Sequence, residues 1–200
     1  ASRGLGDVYK RQMHEARGKK GLGLSYACTP RGANHMEGFH DTGSWEGDNG
    51  SPQLGITEGI DRFETKGKAN LVFKIENVYS FINSLIMCVF DTMQDGAGYN
   101  LHNVHDIVNA VTGLEIDTEE MLTIGHRNYT LGRLFGTKQG LSTKDDDLPE
   151  RIKTQALDFY GRKEALFEDE LNLMKKDYYE LRGWDTNGIP TQEELNKLSI

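Results

Sequence analysis

Two cysteines, Cys28 and Cys88, are the residues of this 200-residue chain best suited to redox or metal chemistry. A cysteine thiolate can bind a metal ion or an iron–sulfur cluster. A free cysteine also serves well as a small buried side chain, because its thiol is only a weak hydrogen-bonding group. One cysteine cannot hold a cluster, which usually takes about four thiolates. The residues alone therefore favour core positions for both cysteines, and a ligand role for Cys88 needs thiolates from elsewhere.

His35 is the strongest candidate for acid–base chemistry. It lies in a glycine-flanked polar loop together with Arg31, Asn34 and Glu37. One interpretation is a general acid or base, or a hydrogen-bond donor, beside a reacting group. The other is a surface histidine that is hydrogen-bonded to the backbone, and the residues by themselves favour it.

Two further polar groups have structural explanations. His102 and His105 stand at the start of a predicted helix with a spacing that can bind a metal ion. The residues by themselves favour a solvated helix face for this pair. The acidic run Asp145, Asp146 and Asp147 is predicted to be a solvated loop before the next helix.

The element that must position Cys88 is the most apolar stretch of the chain, residues 70–88. Its apolar side chains recur at steps of four and three, which predicts one stripe of a helix: Leu71, Ile75, Val78, Ile82 and Leu85. Further apolar residues on the other side predict a helix buried almost all round: Val72, Tyr79, Phe81 and Ile86. We expect this helix to deliver Cys88 to a buried redox centre.

The rest of the chain predicts more helices. A short amphipathic helix should run from about Leu101 to a stop at Gly113, and Asp117 should cap the next one. A long helix is predicted over 162–182, and Thr191 should begin a final short one. No alternating strand pattern is visible. The fold class is therefore all-α, an irregular helical domain with a long loop-rich N-terminal region.

Composition restricts the function classes. A net charge of −8 makes nucleic acid an unexpected partner. No apolar run is long enough to span a membrane, and no secretory signal is visible, so a reduced cytoplasmic compartment fits best. Residues 1–12 have no periodic pattern and look like an assembly scar; the domain is predicted to occupy 13–200, as a fragment of a larger protein.

Four segments, in the right order, resemble one enzyme family. They are similar to the start of the third domain, the Asp-x-x-Gly-Leu-Cys loop, the Leu-Phe-Asn-x-Arg-Glu-Gly-Phe stretch and the C-terminal signature of tungsten-containing aldehyde:ferredoxin oxidoreductases. In this chain they are residues 17–35, 83–88, 134–151 and 178–190. The resemblance implies the C-terminal helical domain of a three-domain enzyme.

The resemblance also implies roles for particular residues. Cys88 would be the fourth ligand of a [4Fe-4S] cluster whose other thiolates come from the middle domain. Asn83 and Met87, in the same loop, would contact a tungsten or molybdenum bis-pterin cofactor. His35 matches the family's active-site histidine, and Glu37 stands where a basic residue often reaches toward the pterin. Ile86 replaces the family's glycine, and we expect the loop to be an ordinary helix end as a result.

The implied reaction oxidises an aldehyde to a carboxylic acid, with electrons passing through the cluster to ferredoxin. The implied partners are ferredoxin, a small aldehyde, the N-terminal and middle domains of the same chain, and a second copy in a homodimer. Two alternatives stay open. One is a reductive family member such as an aryl-CoA reductase catalytic subunit. The other is a cofactor-free helical binding module.

Overall fold

A computed structural model describes residues 14–38, 52–89 and 101–200 of the chain, without the side chains of residues 53 and 101–103. Helices dominate these ranges, as the sequence predicts. They are α1 (Lys20–Cys28), α2 (Lys68–Ser84), α3 (Leu101–Thr112), α4 (Thr118–Lys138), α5 (Glu150–Thr154), α6 (Glu168–Arg182) and α7 (Gln192–Lys197), with single 3₁₀ turns at Ala16–Gly18 and Pro52–Leu54. None of the helices in these ranges is long and apolar enough to cross a membrane.

Helix α2 is the centre of the fold. It packs against α1, α4 and α6. Its apolar side chains at steps of three and four contribute to two clusters of buried residues, one on each side. The prediction of a helix buried almost all round is therefore confirmed for its body. Cys28, at the end of α1, is fully buried in the first cluster, as expected for a core residue.

Side-chain N-caps are present at the two predicted helix starts. The Asp117 side chain accepts a hydrogen bond from the backbone N–H of Glu120 and begins α4. The Thr191 hydroxyl accepts one from the N–H of Glu194 and begins α7. Helix α3 ends immediately before Gly113, whose φ of +74° is a conformation that glycine adopts readily.

The prediction of one helix over 162–182 is wrong in its first part. Residues Leu157–Phe159 and Arg162–Glu164 form a two-stranded antiparallel hairpin, β1 and β2, and α6 begins only at Glu168. The turn between the strands holds Tyr160 and Gly161 at positive φ, where a helix cannot continue. Phe167, which lies inside the predicted range, is the N-cap of α6 and is half exposed.

The prediction of a solvated acidic run at 145–147 is wrong for its central residue. Asp146 is buried and accepts two hydrogen bonds from the Arg133 guanidinium, at 2.7 and 2.6 Å. Tyr179 donates a third to the same carboxylate. A buried charge must be paired in this way, so Asp146 joins α4 to α6 while Asp145 remains exposed.

Candidate functional site

The candidate site begins at the C-terminal end of α2. After Ser84 the chain turns through Leu85, and Ile86 has a φ of +58°. Its N–H donates to the carbonyl of Asn83, and the N–H of Met87 donates to that of Ile82. This hydrogen-bond pair is the Schellman motif, in which glycine usually occupies the left-handed position.

The expectation of an ordinary helix end at Ile86 is therefore wrong. Ile86 takes a left-handed backbone conformation, which glycine usually occupies at a helix end, and the two Schellman hydrogen bonds hold it there. Its side chain is 94 % exposed, so it is not part of the buried face either.

Cys88 lies just beyond this turn, with an exposed side chain. Helix α2 ends four residues before Cys88, so the turn and not the helix itself places this thiol; its delivery to a buried redox centre stays a prediction. Over residues 14–38, 52–89 and 101–200, no three His, Cys, Asp or Glu side chains come together as a metal site. Cys88 is thus an accessible single thiol, and a cluster bound to it would need other ligands.

Two of the predicted cofactor-binding residues, Glu37 and Asn83, line the same cavity of about 210 Å³. Glu76 and Ser80 share a face of α2 with Asn83, and Tyr129 comes from α4. The remaining lining residues are Pro30, Arg31, Asn128 and Gly132. Met87 is not a lining residue of this cavity; its side chain packs against the second core cluster.

The cavity lies between the C-terminal halves of α2 and α4. At the crossing of these helices Gly125 approaches the backbone of Asn77, and a Cβ on Gly125 would lie 1.9 Å from the Asn77 carbonyl oxygen. No larger residue fits there, so glycine permits the close crossing. Beyond this contact both helices contribute side chains to the cavity wall.

Glu37 is held at the cavity by its own loop. Its carboxylate forms an ion pair with Arg31 and accepts a hydrogen bond of 3.1 Å from the Thr29 hydroxyl. The carboxylate is therefore turned into the protein and does not simply face solvent. The Arg31 guanidinium is largely exposed and also lines the cavity.

Glu76 forms the buried floor of the cavity, a feature the sequence analysis missed. It accepts hydrogen bonds from Ser25 (2.8 Å), Tyr178 (2.5 Å) and Arg182 (2.7 Å). Burial raises the pKa of Glu76, and the Arg182 cation opposes that rise. The sequence offers one signal for this role: Glu76 is a charged residue within the most apolar helix of the chain.

Arg182 is the fully buried partner of this carboxylate. Its guanidinium lies 3.9 Å from the ring centroid of Tyr129 and 4.7 Å from that of Phe73, and it donates to the side-chain oxygen of Asn77. Cation–π contacts of this kind stabilise a desolvated cation. The cavity floor is therefore a fixed, charge-balanced network.

His35 is half-buried and lies beside the cavity loop rather than among the lining residues of the cavity. Its ring contacts that of His14 edge to face, with centroids 4.8 Å apart. Partial burial, followed by the neighbouring His35 and Lys19, lowers the pKa of His14. His102 and His105 were considered above as a metal-binding pair. The side chain of His102 lies outside the described residues, and the His105 ring lies 3.1 Å from the Asp106 carboxylate.

Known proteins are similar to this chain over most of its length. A family model described as aldehyde ferredoxin oxidoreductase, domains 2 & 3, matches residues 9–200. The tungsten-containing aldehyde ferredoxin oxidoreductases of Pyrococcus furiosus and Pyrococcus abyssi are each 30 % identical over 190 residues, 94 % of this chain and 29 % of theirs. The chain thus spans under a third of the length of these relatives.

A solved structure is also similar. The active-site complex BamBC of benzoyl coenzyme A reductase with 1,5-dienoyl-CoA superposes with a TM-score of 0.53 at 25 % identity, over 68 % of this chain and 19 % of that one. An aliphatic sulfonate oxidoreductase subunit of Pyrococcus furiosus is 30 % identical over 62 % of this chain and 20 % of its own length.

Proposed function

Because the chain belongs to the aldehyde ferredoxin oxidoreductase family, we propose that it is the C-terminal domain of an enzyme that oxidises aldehydes to carboxylic acids at a tungsten or molybdenum bis-pterin centre. Each turnover converts an aldehyde and water into a carboxylic acid, two protons and two electrons. A [4Fe-4S] cluster, with Cys88 as one of its ligands, would serve to pass the electrons to ferredoxin. The N-terminal and middle domains complete the enzyme, in the cytoplasm.

The observation that carries the proposal is the convergence of Glu37, Asn83 and the Cys88 turn at one end of α2. Asn83 supplies both a hydrogen-bond donor and an acceptor to the cavity, which suits the edge of a pterin ring. Tyr129 is largely buried and lines the same cavity. The residues present therefore fit a polar heterocycle.

The metal centre would supply the two-electron oxidation when bound. In this proposal the exposed Cys88 provides one thiolate to the cluster, and Met87 remains a weaker cofactor contact. His35 donates a hydrogen bond to an oxygen at the reacting centre and moves a proton there. Glu37 acts on the cofactor indirectly, because its carboxylate orients the Arg31 guanidinium beside the cavity.

The test uses the anaerobically purified full-length enzyme. We expect tungsten or molybdenum and iron on analysis, and aldehyde-dependent reduction of a viologen acceptor. Cys88→Ala should abolish or alter the EPR signal of the reduced cluster, because one iron loses its thiolate. Cys28→Ala is the matched control, since Cys28 is fully buried away from solvent and should leave that signal in place. An unchanged signal in Cys88→Ala would refute ligation by Cys88.

The similarity to the benzoyl coenzyme A reductase structure favours one second candidate, a reductive aryl-CoA enzyme. Assays on the same preparation distinguish the two candidates. An aryl-CoA reductase would show no viologen reduction with aldehydes and would act on an aryl-CoA thioester. A protein without metal, iron or pterin would instead be a cofactor-free helical module.

A further inference from the structure

The histidine proposed for proton transfer, His35, is in contact with a second histidine from a different segment of the chain. The rings of His14 and His35 meet edge to face, with centroids 4.8 Å apart and planes inclined at 63°. Aromatic side chains prefer this arrangement when their centroids are about 4.5–7 Å apart. The contact therefore joins the segment before the 3₁₀ turn at Ala16–Gly18 to the loop that follows α1.

The segment that carries His14 is anchored to the core. The next residue, Glu15, accepts two hydrogen bonds of 2.7 Å from the guanidinium of Arg17. The same guanidinium donates a further one of 2.7 Å to the backbone carbonyl of Gln155. Ala16 is fully buried in the first core cluster. The backbone beside His14 is thus held firmly, so its ring can act as a fixed support.

The backbone at His35 is shaped by a local turn. The side-chain oxygen of Asn34 accepts a hydrogen bond of 3.0 Å from the backbone N–H of Met36, which forms an Asx turn around His35. This turn fixes the backbone but not the imidazole, because rotation about the outer side-chain bond of histidine has broad preferences. The orientation of the ring therefore depends on what packs against it, and His14 does so.

We propose that His14 is a positioning residue for His35, and that it holds the His35 imidazole in the orientation from which it transfers a proton at the reacting centre. This inference rests on the role proposed for His35. Catalytic side chains must be held within about 0.5 Å of the productive position by residues that pack on them. A misplacement of about 1 Å can cost about 100-fold in rate.

The charge of His14 serves the same task. Partial burial, followed by the neighbouring His35 and Lys19, lowers the pKa of His14, so this ring is largely neutral at pH 7. Of the other titratable groups beside it, Glu15 is paired with Arg17, and the Tyr26 hydroxyl lies near the His14 backbone. A neutral His14 allows His35 to take up a proton, whereas a cation at position 14 would oppose this by like-charge repulsion.

The experiment compares His14→Ala, His14→Phe and His14→Lys in the full-length enzyme. The assay measures kcat and KM for an aldehyde, with a viologen acceptor, between about pH 5 and 8. His14→Ala should lower kcat by about 10–100-fold at unchanged KM, because the ring of His35 loses its support. His14→Phe keeps an aromatic edge-to-face contact and should restore kcat to near the wild-type value.

His14→Lys tests the electrostatic part of the proposal. Its positive charge opposes protonation of His35. The limb of the pH profile of kcat that reports His35, identified by its loss in His35→Ala, should therefore move to lower pH. A role of His14 in folding alone would not move this limb.

His105→Ala is the matched control. It removes the same side chain from a half-buried position in α3 that does not line the cavity, and it should leave kcat unchanged. Metal and iron content and the thermal midpoint are measured for every variant, which separates loss of kcat from loss of cofactor or fold.

Two results would overturn this inference alone in an enzyme that oxidises aldehydes. One is wild-type kcat and an unmoved pH profile in His14→Ala and His14→Lys. The other is a kcat in His14→Phe as low as that of His14→Ala, at full cofactor content. A wild-type enzyme that contains metal and iron but oxidises no aldehyde would overturn the proposed function and this inference with it.

Discussion

At the scale of single residues, Ile86 has the most unusual conformation. A left-handed backbone costs an L-residue roughly 1–2 kcal/mol, and β-branched side chains tolerate it least. Among the described residues its side chain is 94 % exposed, so packing there does little to offset that cost. The Schellman hydrogen bonds at the end of α2 must therefore impose the turn that places Cys88.

Ile86→Gly should consequently stabilise the chain by about 0.5–1 kcal/mol, because glycine adopts this φ without strain but gains freedom in the unfolded state. The measurement is the urea midpoint at constant m-value. Ile107→Gly is the control, since Ile107 is a half-exposed isoleucine inside α3. It should destabilise by about 1 kcal/mol. Destabilisation by Ile86→Gly would contradict the left-handed turn.

At the scale of elements, two of the three glycines of α4 have opposite structural roles. Gly125 lies against the backbone of α2, and Gly132 borders open space. The same substitution should therefore have opposite effects at the two positions, which makes each the control for the other.

Gly125→Ala should destabilise the chain by about 1–3 kcal/mol, because α2 and α4 must separate to admit the methyl group. Gly132→Ala should stabilise it by about 0.5–1 kcal/mol, through helix propensity alone. Thermal or urea unfolding measures both. Equal effects of the two substitutions would show that the helices do not cross at Asn77.

The helices could be predicted from sequence because their signals are local. The stripe of α2 and the caps at Asp117 and Thr191 lie within a few residues of the elements they define. The β-hairpin could not be predicted, since its strands are three residues each and the turn that defines them needs Tyr160 at positive φ.

The candidate site was only partly predictable for a related reason. Glu37 and Asn83 were proposed from resemblance, and both line the cavity. Glu76 and Asp146 were missed because their partners, Arg182 and Arg133, lie 106 and 13 residues away along the chain. The sequence shows the charge of a buried carboxylate but not the side chain that neutralises it.

At the scale of the whole molecule, acid stability depends on a histidine enclosed by three helices. His126 of α4 is buried, contacts the Phe73 ring of α2 at 5.0 Å between centroids, and lies 3.7 Å from the Glu194 carboxylate of α7. Burial, and then the positive charge of Arg182, lowers the pKa of His126 to about 3. The folded protein therefore holds this histidine neutral at pH 7.

Unfolding releases His126 to its ordinary pKa of 6.5. Between pH 6.5 and about 3 the unfolded chain binds the extra proton, so the free energy of unfolding should fall as pH falls, by at most about 1.4 kcal/mol per unit from this group. His126→Gln should flatten that slope. Urea unfolding from pH 7 to 4 measures it, and equal slopes in the two proteins would assign the acid sensitivity elsewhere.

The ion pair between Glu76 and Arg182 can form only late in the synthesis of the chain on the ribosome. The two residues are 106 positions apart, and a ribosome adds about 5–20 residues per second. The most apolar helix of the chain, with a carboxylate in its middle, therefore emerges roughly 5–20 s before the arginine that neutralises it. During that interval α2 has exposed apolar surface and an unpaired charge. The nascent chain is therefore most accessible to chaperones, and most prone to misassembly, after α2 is made and before α6 is complete.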